Sequence, residues 1–270
     1  MQTIDKKDIL SIAERTQVSI NINNGEVDIL LGHDDFIFNT YKRNNIKLIG
    51  GWYQHHIELN SNFLVSIIKK YEIKIINFIG ASKSCSGAII LSKAIIRAKV
   101  KTPRMNLFLF SAYTTIKKEI YIKRKIEEKI PGSLKKLWDS EVYSEELVKK
   151  MELRRLVDNK YINIFLIYPT KGSYSERILA ERIKGENVHH IGLPVYMHNT
   201  LYPFWKKVNK DKSIEIYEKK IQKMHKKDYN FYKSMQEYKD YNFHLYSMLT
   251  EPTVFQAELT NFISSFKEKE

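Results

Sequence analysis

The residues Ile75 to Ile90 read I-I-N-F-I-G-A-S-K-S-C-S-G-A-I-I, an apolar run that ends in a cluster of small residues and resumes as a second apolar stretch. Ser82 stands at the centre of that cluster, with Gly80 two residues before it and Ser84 two residues after it. A sharp turn from a strand into a helix needs small residues at both flanks, because it brings the two backbones close together. The same turn strains the central serine and lifts its hydroxyl clear of the sheet edge. A hydroxyl placed there is suited to attack a carbonyl carbon. The backbone N–H of Lys83, at the helix N-terminus, would then hold the negative charge that develops. The pattern is G-x-S-x-G with Ser84 in place of the second glycine, and a tight strand-to-helix turn without chemistry is its alternative reading. Serine also needs a base to take its proton. The eight histidines that might serve are His33, His55, His56, His189, His190, His198, His225 and His244.

The elements around this turn follow from hydrophobic periodicity. Val27 to Leu31, Ile46 to Gly50, Ile73 to Ile79, Asn106 to Phe110, Ile162 to Tyr168 and Val188 to Leu193 read as short, nearly continuous apolar strands. Leu64, Ile67, Ile68 and Tyr71 recur at helical spacing. Lys83 to Ala98 is apolar almost all round, as a helix packed on a sheet is, and another helix is expected near Ser175 to Lys184. Strands alternating with helices predict an α/β fold, a mostly parallel central sheet with helices on both faces. A charged, helical insertion at about 113–160, broken at Pro131-Gly132, is expected to form a lid. From about 200 to 270 the chain reads as a helical C-terminal extension. Its interleaved aromatic and basic residues suit either a packed helix face with lysines in solvent or base stacking on nucleic acid. No linker or repeat divides residues 1–270, so a single domain is expected.

Composition narrows the class. The chain has 45 Lys plus Arg against 31 Asp plus Glu, a formal net charge of +14, and one cysteine. A lone Cys85 excludes an internal disulfide and a cysteine-rich zinc site, and its place within an apolar helix predicts a buried, unreactive thiol. No secretion signal or membrane-length apolar run is visible, which predicts a cytoplasmic location. The positive charge favours anionic partners such as an acidic polysaccharide, a phosphorylated donor or nucleic acid. Nucleic acid is disfavoured, since no recognised motif for it is present.

Gly80 to Ala88, G-A-S-K-S-C-S-G-A, resembles the nucleophile elbow of α/β-hydrolase-fold serine enzymes. More narrowly it is similar to the G-x-S-K-x-x-x-G-A elbow of bacterial capsular polysaccharide O-acetyltransferases of that fold. The resemblance spans roughly residues 27–199, by motif order and spacing. It implies an α/β-hydrolase-like fold and a triad in the order serine, acid, histidine, in which the serine carries an acyl group.

On that resemblance the base belongs in the loop after the last strand, where L-P-V-Y-M-H-N-T places His198. His189 and His190 fall within the strand and read as structural, and His55 and His56 as cleft residues. The acid should follow the penultimate strand. Its loop holds no Asp, and Glu176 is the nearby carboxylate, which would equally suit the first turn of a helix. A Ser–His dyad without an acid is the alternative. Asp158 precedes the strand and belongs at the other sheet edge. Lys83, with Gly32 or His33 in L-L-G-H-D-D, would supply the oxyanion donors. His33, Asp34 and Asp35 adjoin one another and do not predict a metal site, and no permanently bound cofactor is expected. The expected chemistry is acyl transfer through a Ser82 acyl-enzyme, O-acetylating an anionic capsular-type polysaccharide with acetyl-coenzyme A as donor. The alternatives are an esterase of the same fold acting on a small ester, and a catalytically silent module binding an anionic or protein partner. A homo-oligomer is compatible with all three.

Overall fold

The structure is a computed structural model. It describes residues 2–3, 16–19, 21–22, 25–32, 45–49, 52, 57–98, 100–126, 130, 132–171, 175–198, 200–201, 204, 226–238, 243 and 245–266. Seven strands form the central sheet: β1 (Thr16–Ser19), β2 (Glu26–Gly32), β3 (Asn45–Ile49), β4 (Ile75–Ala81), β5 (Arg104–Phe110), β6 (Ile162–Pro169) and β7 (Val188–Leu193). Their spatial order is β1-β3-β2-β4-β5-β6-β7. β1 pairs with β3 antiparallel, and every other pairing in the sheet is parallel. Parallel strands are covered on both faces, which is why the apolar runs are continuous rather than alternating.

Alternate strand residues feed two cores. Ile29, Phe78, Leu107 and Ile164 join the helices α1 (Ile57–Tyr71) and α2 (Cys85–Arg97) in the first. Leu30, Ile79, Phe108 and Phe165 join the C-terminal helices in the second. Those helices are α7 (Lys226–Glu237), α8 (Leu245–Thr250) and α9 (Pro252–Ser265). Phe231, Tyr232 and Phe243 of this region are buried against the sheet, so their aromatic rings serve packing. The fold is α/β and α/β-hydrolase-like, with one antiparallel edge strand on a parallel sheet.

Between β5 and β6 lie α3 (Lys118–Lys123), α4 (Gly132–Trp138) and α5 (Glu145–Met151). Tyr121, Leu134, Leu137, Leu147 and Met151 insert into the first core, so these helices extend the layer over α2. Lys93 of α2 fixes that contact. Its buried ammonium donates to the carbonyls of Lys149, Lys150 and Glu152 at 3.0, 2.9 and 2.7 Å, which satisfies the open C-terminal end of α5.

Several boundaries depart from the sequence expectation. β4 runs to Ala81 rather than ending at Ile79, and Ile73 instead closes α1 through its N–H to the Ile68 carbonyl at 3.2 Å. The helix expected over 175–184 is shorter: α6 spans Ser175–Ala180 and gives way to a turn. A polar ladder also crosses the amino-terminal half of the sheet. Asn77 Nδ2 donates to Asp28 at 2.8 Å, Asn106 Nδ2 to Asn77 at 2.8 Å and Asn163 Nδ2 to Asn106 at 2.9 Å, on strands paired in that register.

Candidate active site

The turn after β4 has the geometry that its small residues require. Ser82 sits at φ +55°, in the left-handed region that side chains seldom adopt, and opens a short 3-10 turn over Ser82–Ser84 that leads into α2. A Cβ on Gly80 would come within 3.1 Å of both Cα and N of Cys85, so a side chain there would press on backbone. At the position where a second glycine is usual, the buried Ser84 closes the turn. Its hydroxyl donates to the Ala81 carbonyl at 2.7 Å and accepts from the Ala81 N–H at 2.9 Å. The Ser86 hydroxyl lies between the carbonyls of Lys83 and Trp52, at 2.7 and 2.8 Å, and ties the helix start to the segment after β3. Cys85 is fully buried with its thiol against the Gly80 carbonyl at 3.1 Å, and burial pushes its pKa up. The thiol is therefore held in its unreactive form.

Beyond β7 the chain brings His198 back over this turn. His198 Nε2 lies 2.8 Å from Ser82 Oγ, and His198 Nδ1 lies 2.9 Å from Glu176 Oε1. A carboxylate can only accept, so Nδ1 carries the proton and Nε2 turns its lone pair toward the serine hydroxyl. Glu176 occupies the first turn of α6 with 3% of its surface exposed. The residue lies at a helix start and also meets the histidine. Burial works to raise its pKa. The hydrogen bond and charge of His198, its own backbone and the Tyr113 hydroxyl outweigh that and pull it below the ordinary carboxyl value.

Three further residues hold this arrangement, and none has a sequence signal. Tyr113 OH donates to Glu176 Oε1 at 2.8 Å, and its ring stands between those of Trp52 and His198, with centroids 5.7 and 6.3 Å away. Ser111, at φ +49° just past β5, donates its hydroxyl to the His198 carbonyl and its N–H to the Ile167 carbonyl at 2.7 Å. Thr200 Oγ1 joins them, 3.1 Å from Ser111 Oγ and 3.2 Å from the Ile167 carbonyl. Upstream, the Tyr196 N–H donates to the buried Asp228 of α7 at 2.7 Å, which anchors the loop on the C-terminal helices.

The remaining candidates fall as follows. Gly32 ends β2 at the same sheet edge, one strand from Ser82, and Lys83 lies in the turn itself. His33, Asp34, Asp35, His55, His56, His225 and His244 lie outside the described residues. His189 stacks on Phe165 at 4.7 Å, and burial lowers its pKa. His190 Nε2 faces the Ile183 carbonyl at 2.8 Å. Asp158 precedes β6, at the opposite sheet edge, where it accepts from the Glu186 N–H. Among the described residues no three His, Cys, Asp or Glu side chains gather as a metal would require, and no helix is long and apolar enough to cross a membrane.

No family model and no curated protein matches the sequence. Among solved structures, the chain is similar to a lipase-esterase related protein from Clostridium acetobutylicum ATCC 824, at 14% identity over 68% of this chain and 91% of that one, with a TM-score of 0.40. It is similar to a hydrolase from Oleispira antarctica at 12% identity over 72% and 91%, with a TM-score of 0.42. An esterase from Pyrococcus furiosus resembles it at 16% identity over 72% and 79%, with a TM-score of 0.40. At such identities and TM-scores the functional reading rests on the site geometry.

Proposed function

We propose that the chain is a serine-dependent acyl-transfer enzyme working through an acyl-enzyme at Ser82. The observation that carries this is the continuous hydrogen-bonded line from Ser82 Oγ through His198 to Glu176, built on a serine held at positive φ. As Ser82 Oγ attacks an acyl carbonyl carbon, its proton passes to His198 Nε2. The tetrahedral oxyanion is held by the Lys83 N–H together with that of Gly32 or His33. Collapse breaks the bond to the leaving group, which takes the proton from His198. An acceptor hydroxyl then gives its proton to His198 Nε2 as it attacks the Ser82 ester. Collapse of the second oxyanion breaks the bond between Ser82 Oγ and the acyl carbon and returns the proton from His198 to Ser82 Oγ. Glu176 remains ionised throughout and stabilises the imidazolium that forms within each of the two steps.

For the acceptor we favour a hydroxyl of an anionic, capsular-type polysaccharide, with acetyl-coenzyme A as donor and a cytoplasmic setting. Two features support this reading: the resemblance of Gly80 to Ala88 to capsular O-acetyltransferase elbows, and the net charge of +14, which suits an anionic acceptor and a phosphorylated donor. Water as acceptor, giving an esterase, is the second reading, and the line of Ser82, His198 and Glu176 serves it equally. Stopped-flow release of coenzyme A separates the two. A burst followed by turnover only when glycan is added identifies the transferase, and steady production of free acetate indifferent to glycan identifies the esterase. A fluorophosphonate probe that never labels Ser82 would refute both.

A further inference from the structure

Glu176 and His198 reach the site on separate segments, one at the start of α6 and the other after β7. What brings them together is a third segment, the three residues that follow β5. Ser111 Oγ is bonded to the His198 carbonyl, the Tyr113 ring lies beside the His198 ring, and Tyr113 OH lies 2.8 Å from Glu176 Oε1. Ser111 and Tyr113 are buried, at 0% and 4% exposure. The Glu176 oxygen that accepts from His198 Nδ1 at 2.9 Å is the one that accepts from Tyr113. A carboxylate at 3% exposure has lost most of its water, and it stays ionised only if donors replace that water.

We infer that Tyr113 is a positioning residue of the acyl-transfer site, whose hydroxyl fixes the Glu176 carboxylate and sets how strongly it holds His198. The inference rests on the reading of Ser82, His198 and Glu176 as a triad, and it assigns the strand end after β5 a task beyond packing. The Tyr113 hydroxyl shares one carboxylate oxygen with the histidine and so tempers the basicity of that oxygen. The ring, wedged against Trp52, keeps the hydroxyl from turning away. Ser111 complements it by fixing the backbone from which the His198 ring projects.

Tyr113→Phe retains the ring and removes only the donor. Without it the carboxylate is more basic, and the Glu176–His198 pair takes up its proton at higher pH. The acid limb of kcat/KM for p-nitrophenyl acetate is therefore expected to move upward by about one pH unit, with a plateau about tenfold lower. In a Glu176→Gln background the same substitution is expected to change neither limb nor plateau by more than about twofold, because Tyr113 acts through that carboxylate. A readout independent of turnover is the downfield proton resonance of His198 Nδ1–H, which should shift in Tyr113→Phe and not in Tyr121→Phe, a buried tyrosine bonded instead to the Thr115 carbonyl. An unmoved acid limb, or equal losses with and without Glu176, would overturn the inference. If the wild-type protein forms no Ser82 adduct yet the resonance still shifts, the triad reading fails while the Tyr113–Glu176 coupling stands.

Discussion

Strands β4 and β5 each carry polar side chains at two levels of the sheet, and the two levels are built on opposite terms. At the amino-terminal level Asn77 and Asn106 face each other in register, flanked by Asp28 and Asn163, and each amide finds a neighbour's oxygen at 2.8 to 2.9 Å. Five residues further along each strand, beyond the last ladder bond, stand Ser82 and Ser111, both at positive φ. The ladder keeps its polar groups within regular strand geometry, where they saturate one another and pin the register of four strands. At the strand ends, backbone turned out of the β region aims two hydroxyls at a histidine 116 and 87 residues away in sequence. Polarity buried in register gives stability, and polarity placed past the last register position is left available for chemistry.

Substitutions at the two levels should therefore separate rate from stability. The largest effect is expected for Ser82→Ala and His198→Ala, each lowering kcat/KM for an activated ester by about 10⁴-fold or more while leaving the thermal midpoint nearly unchanged. Glu176→Gln should lose about 10³-fold or more, since the amide no longer fixes the proton on Nδ1. Asn77→Leu should invert that pattern. It removes one hydrogen bond each from Asp28 and Asn106 and is expected to cost about 3 kcal/mol in denaturant unfolding, with the rate per folded molecule within about twofold of wild type. A ladder variant that abolishes turnover while remaining folded would break the comparison. Gly80→Ala joins the two levels, because its Cβ would meet backbone atoms of Cys85 at 3.1 Å. We expect about 1–3 kcal/mol of destabilisation together with lost activity, read by the same two assays.

The smallest effect concerns pH. The Glu176 carboxyl is depressed in the folded state, so its contribution to stability is fully present above its unfolded value and is lost as pH falls through its folded value. Wild-type unfolding free energy should therefore fall more steeply below about pH 4.5 than that of Glu176→Gln, which lacks the group. Parallel acid titrations would remove this contribution from the account.

Much of this arrangement was legible in the order of residues. The small-residue turn around Ser82 and the apolar runs on either side dictated a strand, a tight turn and a helix, and all three are present. Ser84 departs from the usual glycine, and the folded turn explains why serine suits the place: its hydroxyl bonds both ends of Ala81. Glu176 was legible as the carboxylate that follows the penultimate strand, but its contact with His198 depends on the fold of a separate loop. Tyr113, Ser111 and Thr200 carried no signal, because their partners lie 63, 87 and 33 residues away and no local spacing encodes that. The asparagine ladder was hidden for the same reason. Each amide interrupts an otherwise apolar run, and its meaning appears only when four strands align.

The most direct test is to acid-quench the protein during turnover of p-nitrophenyl acetate and locate the acyl group by peptide mass spectrometry. The account predicts one acetyl group on the peptide containing Ser82, absent in Ser82→Ala and accumulating in proportion to the burst. A burst with no acetyl on that peptide, or an adduct that persists in Ser82→Ala, would contradict it.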